Sequence, residues 1–134
     1  MGVLHHKRTS KTIAKNPIAR AVARNNLAAA VTKQKIRLYM MEDGEPCADD
    51  MEVIGKTLAV VGYASELDEK IGGDDLRVRV LRGGLSACKQ LMIADKWDSA
   101  QVRAIDVALD AAMELNAKVN SDCINKAVHD LGVL

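Results

Sequence analysis

No acidic residue precedes Glu42, and no phenylalanine occurs anywhere in the 134 residues. The first absence splits the charge. Residues 1–41 hold nine Lys and Arg, whereas the rest of the chain holds ten against all eighteen acids, so two parts of +9 and −8 hide beneath a net charge of +1. Asymmetry of this kind points to a polyanionic contact at the basic end, or to a basic end that folds back on the acidic remainder or on a second copy. The second absence leaves Tyr39, Tyr63 and Trp97 as the only aromatics. With Ala, Val, Leu and Met supplying the apolar half, close-packed helices are favoured over a sheet. Cys47, Cys88 and Cys123 are odd in number and far apart, which excludes a CxxC zinc ribbon and reads as reduced thiols in a reducing cytoplasm. No apolar run approaches the roughly 20 residues that a bilayer requires, and no secretory core follows Met1. Gly2 is followed by His6 where an N-myristoylation motif needs Ser or Thr, so lipidation is not expected either.

What is present reads as helix. Residues 1–16 are polar, basic and aperiodic, a flexible arm; residues 17–134 are expected to form one helical domain. Asn16-Pro17 opens a first helix that runs to Met41, with Leu27, Val31, Leu38 and Met41 on one stripe and a kink possible at Asn25-Asn26. Glu42–Pro46 is a turn. Asp49 or Asp50 caps a second helix with Ile54, Leu58, Val61 and Leu67 inward, and Gly55 and Gly62 mark the close approach of another helix backbone. Asp74 or Asp75 caps a third. Its LRVRV stretch alternates like a strand, but a lone strand would lack a partner, so a helix bent at Gly83-Gly84 is expected, with Leu76, Val80, Ala87, Leu91 and Ala94 inward. Trp97-Asp98-Ser99 caps a fourth helix carrying Val102, Ile105, Leu109 and Ala112. Ser121 caps a short fifth helix carrying Ile124, Val128 and Leu131, which ends at Gly132. The expected fold is all-α, a four- to five-helix bundle behind a basic arm.

Catalytic and cofactor motifs are weak. IGKT at 54–57 resembles the tail of a phosphate-binding loop, but Asp50 stands where the first glycine belongs and no strand precedes it. The pairs Asp49-Asp50 and Asp74-Asp75 are explained by capping, and Glu66, Asp68 and Glu69 by a solvated face near a helix end. His5-His6 adds conditional positive charge, and His129 is structural or solvent-facing. No Ser/His/Asp or Cys/His constellation is visible, so the chain is read as a non-enzyme without cofactor or metal.

The basic arm stands above this background. Lys7, Arg8, Lys11 and Lys15, extended by Arg20 and Arg24 four residues apart on the first helix, are the candidate binding residues. They would neutralise phosphates without reading bases, because the arm carries no aromatic on which a base could stack. HHKRTSKTIAKNPIARAV followed by an acidic turn, a second amphipathic helix and AIDVALDAAMELNAKVNS resembles small phage and prophage proteins of largely unassigned function. That resemblance implies a helical protein at work in the cytoplasm of a bacterial host. It adds a reading in which the chain docks on a host protein complex, including defence complexes such as CRISPR effectors. The expected partner is therefore nucleic acid or a host nucleoprotein complex, with a homodimer possible and no membrane. An inhibitor or adaptor acting by protein contacts is the alternative, and a virion component the third reading.

Overall fold

The computed structural model of the chain describes residues 17–40, 48–94 and 98–132. Five helices follow one another: α1 (Pro17–Met40), α2 (Ala48–Leu67), α3 (Leu76–Met92), α4 (Ser99–Lys118) and α5 (Ser121–Leu131). No strand occurs among the described residues. The protein is an all-α bundle. The helix 3–helix 4 pair is the most extensively packed, with α2 lying on α3, α5 on α2, and α1 spanning α4 and α2.

Local chemistry sets the boundaries. Proline at the first position of α1 gives up an amide that a helix start leaves unpaired anyway. Asp75 accepts the Arg77 amide and caps α3, while the Arg77 guanidinium beside it holds its carboxyl down at about 2. Asp98 accepts the Ala100 and Gln101 amides and caps α4. Gly132 closes α5 in the left-handed region, at φ 64°, which a residue with a Cβ enters only with strain. Two capping expectations need correction. Asp49 and Asp50 lie inside the first turn of α2, which begins at Ala48, so they favour the helix dipole instead of capping it. The cap of α5 is Asn120, whose side chain accepts the Asp122 amide; Ser121 is the first helical residue and is buried. The expected turn at Glu42–Pro46 lies outside the described residues.

The core is aliphatic. Val31 and Leu38 from α1, Ile54, Leu58 and Val61 from α2, and Ile105, Leu109 and Ala112 from α4 are buried where their spacing places them. Ala87 and Leu91 are buried and Val80 and Ala94 pack against the core as expected, but the first turn of α3 differs. Leu76 is 73% exposed, and Val78, Leu81 and Cys88, outside the expected stripe, are buried. The alternation around Val78 and Val80 suits either face, and the cap at Asp75 leaves Leu76 on the outside of the first turn. Nor does α3 break: it runs through Gly83-Gly84 without interruption.

Gly84, not Gly55 or Gly62, is the point of closest helix approach. Gly55 and Gly62 do face α3, but a Cβ there would lie 3.5 Å or more from the nearest side-chain carbon of Leu85 or Leu81. At Gly84 a Cβ would fall inside 3.0 Å of the Ala108 Cβ and 3.3 Å from the Ala104 carbonyl oxygen. The α3–α4 crossing is built on that missing methyl.

Asp68 also departs from expectation. It does not lie on a solvated face; it is 8% exposed. One carboxylate oxygen accepts the Lys70 amide and the other accepts the Asn120 amide, both at 2.9 Å. A single side chain thereby ties the α2–α3 connection to the α4–α5 connection. Hydrogen bonds to a charged acceptor in a covered site contribute about 1.5–3 kcal/mol each, less when the freed donor can reach water. Asp68→Ala is expected to lower unfolding free energy by about 2 kcal/mol in a urea titration, and Asp68→Asn to recover part of it.

Candidate functional site

Of the six candidate cations, Lys7, Arg8, Lys11 and Lys15 lie outside the described residues. Arg20 and Arg24 fall on α1, four positions apart, ahead of the first described side chain at Asn25. The structure therefore fixes a helical backbone at two of the six. It also shows what the remaining cations of the basic end do. Lys35 donates to Asp110 and lies 3.3 Å from Asp106, both on α4. Its ammonium is held above the ordinary lysine range, first by the Asp110 hydrogen bond. Tyr39 donates to the other Asp106 oxygen at 3.2 Å, and the charge of that carboxylate raises the phenol. Arg37 stands 3.9 Å from Asp50. The second half of α1 thus partly realises a basic segment folded against its own acidic body. Lys33 is exposed and has no carboxylate within ion-pair distance among the described residues.

Beside these cations lies a groove. A cavity of about 470 Å³ opens between α1, α2 and α5, walled by Leu27, Val53, Val60, Ile124 and Val128. A second, of about 370 Å³, shares Ala30 and Val53 with it and continues toward Lys33, Arg37 and Asp50. Lys56 rises on the α2 side. Val53, at the junction, is 52% exposed, an aliphatic side chain in a concave surface.

Gln34 holds the α1 wall to α2. The Thr57 hydroxyl donates to the Val53 carbonyl oxygen, so its own oxygen accepts, and Gln34 Nε2 donates to it at 2.6 Å. That orientation leaves Gln34 Oε1 buried without a donor. Replacing an unpaired buried acceptor by an apolar isostere removes its desolvation cost. The paired change Gln34→Met with Thr57→Val, which removes the unpaired acceptor together with both partners of the bond, is expected to be neutral or to raise unfolding free energy by up to about 1 kcal/mol, read by the same urea titration. Gln34→Met alone loses the bond and is expected to be the less stable of the two.

The other sequence motifs are absorbed by the fold. Gly55, Lys56 and Thr57 of IGKT sit in the middle of α2, with Lys56 paired to Glu52 at 3.4 Å, so no phosphate-binding loop exists there. Burial pushes the Cys88 thiol up to about 12, and Cys123 is raised by its own burial and by Asp68; both are protonated at neutral pH. Cys47 lies outside the described residues. His129 is exposed in the last turn of α5. No three His, Cys, Asp or Glu among the described residues converge on a point where a metal could sit. Among the same residues, no helix is long and apolar enough to cross a membrane.

Sequence reasoning missed the groove and Asp68. Val53 carried the only signal: it is an aliphatic residue off the Ile54–Leu58–Val61 stripe, on a flank where charged residues would be ordinary. No protein-family model, curated protein or solved structure matches the chain.

Proposed function

We propose that the chain is a non-catalytic binding protein, of the kind that phages deploy in the cytoplasm of a bacterial host, whose basic N-terminal end contacts nucleic acid or a nucleoprotein. The observation that carries this reading is the charge layout. No acid neutralises the first 41 residues from within, and of the three cations there whose side chains are described, Lys35 and Arg37 pair with the body while Lys33 meets no carboxylate among the described residues. The helical body supplies a mount for that basic end. The grip is expected on phosphates rather than bases, so it is salt-dependent and indifferent to sequence.

Fluorescence anisotropy with random-sequence duplex DNA, single-stranded DNA and RNA across a salt series tests it. Alanine at Lys7, Arg8, Lys11 and Lys15 together should remove most of the affinity and flatten the salt dependence. Affinity and slope unchanged in that variant would sink the arm reading.

A second reading is favoured by the exposed aliphatic groove around Val53, which contributes nothing to phosphate binding. On that reading the chain is an inhibitor or adaptor that docks on a host protein complex.

A further inference from the structure

We infer that the groove between α1 and α2 is the seat of an acidic amphipathic helix from a partner protein. The inference goes beyond the nucleic-acid reading, and it uses none of the candidate residues between 7 and 24.

Shape comes first. Lining residues run along α1 from Asn26 to Arg37, about 16 Å at the helical rise and so about three turns. That length suits a short helix laid alongside α1 and α2, a recurring form of peptide recognition. The floor is aliphatic at the Leu27, Ile124 and Val128 end and keeps Val53 half-exposed at the centre, as a site for apolar anchors requires.

Charge selects the occupant. The α1 wall has no acidic residue over its 24 positions, and it lifts Lys33 and Arg37 beside the groove while Lys56 stands on the opposite wall. Among the described residues the acids nearby are Asp50, with 23% of its side chain exposed and 3.9 Å from Arg37, and Glu52, which meets Lys56 in an exposed pair; Lys33 has no such partner, so the described rim is net positive. Exposed pairs are weak and exchange partners readily. A helix with leucines on one face and glutamates along its flanks would bury the floor and meet cations on both sides. A second α1, carrying cations alone, would be repelled, so self-association through this helix is disfavoured.

The test uses the full-length protein and a fluorescein-labelled synthetic helix of about 18 residues, with leucines on one face and glutamates on the other. Counterparts exchange Glu for Lys or Leu for Ser. Anisotropy should give saturable one-to-one binding for the Leu/Glu peptide, at least tenfold weaker binding for the Leu/Lys peptide, and none for the Ser/Glu peptide. Val53→Glu should weaken the Leu/Glu peptide at least tenfold with its circular-dichroism melt and its duplex-DNA binding unchanged. Lys33→Glu, at a fully surface position, should weaken the peptide in the same direction and covers the case in which Val53→Glu fails to fold. The inference is overturned by absence of saturable binding, by equal binding of the Leu/Glu and Leu/Lys peptides, or by full binding to both folded variants. A concentration-dependent dimer in sedimentation that Val53→Glu dissociates would also overturn it, assigning the groove to a second copy. So would loss of DNA or anionic-vesicle binding in Val53→Glu. Because DNA binding is scored separately with the arm variant, failure of this inference and failure of the nucleic-acid reading are distinguishable.

Discussion

Gly84→Ala is expected to cost about 3 kcal/mol or more of unfolding free energy, and Gly83→Ala, one residue away, to gain about 0.5–1 kcal/mol. The chemical change is identical and the sign reverses because of what the new methyl meets. At Gly83 nothing lies within 4 Å, so alanine only gains helix propensity and restricts the unfolded chain. At Gly84 the methyl would overlap Ala108 and crowd the Ala104 carbonyl and a Leu58 methyl, each at 3.3 Å. Backbone and a Cβ cannot swing aside as the tip of a long side chain can, so α3 and α4 must move apart along the most extensive contact in the molecule. Urea titrations of the two variants beside the wild type decide the point. Equal stabilities for the pair would show that the α3–α4 crossing is looser than described.

Alanine at Lys7, Arg8, Lys11 and Lys15 is expected to weaken duplex binding on the order of 10²–10³-fold at about 150 mM salt. Each phosphate contact releases condensed counterions and adds about 0.9 to the slope of log affinity against log salt. If all six candidate cations engage phosphates, wild-type affinity falls roughly 10³-fold between about 50 and 200 mM salt. With only Arg20 and Arg24 left, the fall is roughly tenfold. The slope is the more telling readout, because a variant that merely misfolds loses affinity without acquiring a defined, shallower slope. A variant slope equal to that of the wild type would mean that other cations, Lys33 among them, carry the contact.

The helices and most of their inward faces were legible in the sequence because 3.6-residue periodicity is a local property. Ile54, Leu58 and Val61, or Ile105, Leu109 and Ala112, need no partner to declare their side. The caps at Asp74-Asp75 and at Trp97-Asp98-Ser99 and the stop at Gly132 were legible for the same reason, since a cap bonds its own helix; that Asp75 and Asp98 are the capping members was not. What escaped depends on distant chain. Asp68 looks like any acid near a helix end until Asn120 arrives from 52 residues away. Gly83 and Gly84 are indistinguishable until α4 chooses one of them. Lys35 reads as one more cation of the basic end, although its partner Asp110 is 75 residues on. The groove is emptier still of local signal, because a concavity belongs to three helices at once. Of the candidate site, sequence supplied the charge, and the structure added where that charge is already spent inside the molecule.

The way α1 is attached has a kinetic consequence. The two most extensive contacts, α3 with α4 and α2 with α3, join neighbours along the chain, so they close short loops and can form early. The attachment of α1 to α4 joins residues 75 apart and must wait for a large loop to close. A helix that docks late in folding is also the natural first to leave in a partial opening of the native state. The cation-rich wall of the groove is that helix, so a partner bound there would act as a clasp, slowing hydrogen exchange in α1 far more than in the α3–α4 pair behind it.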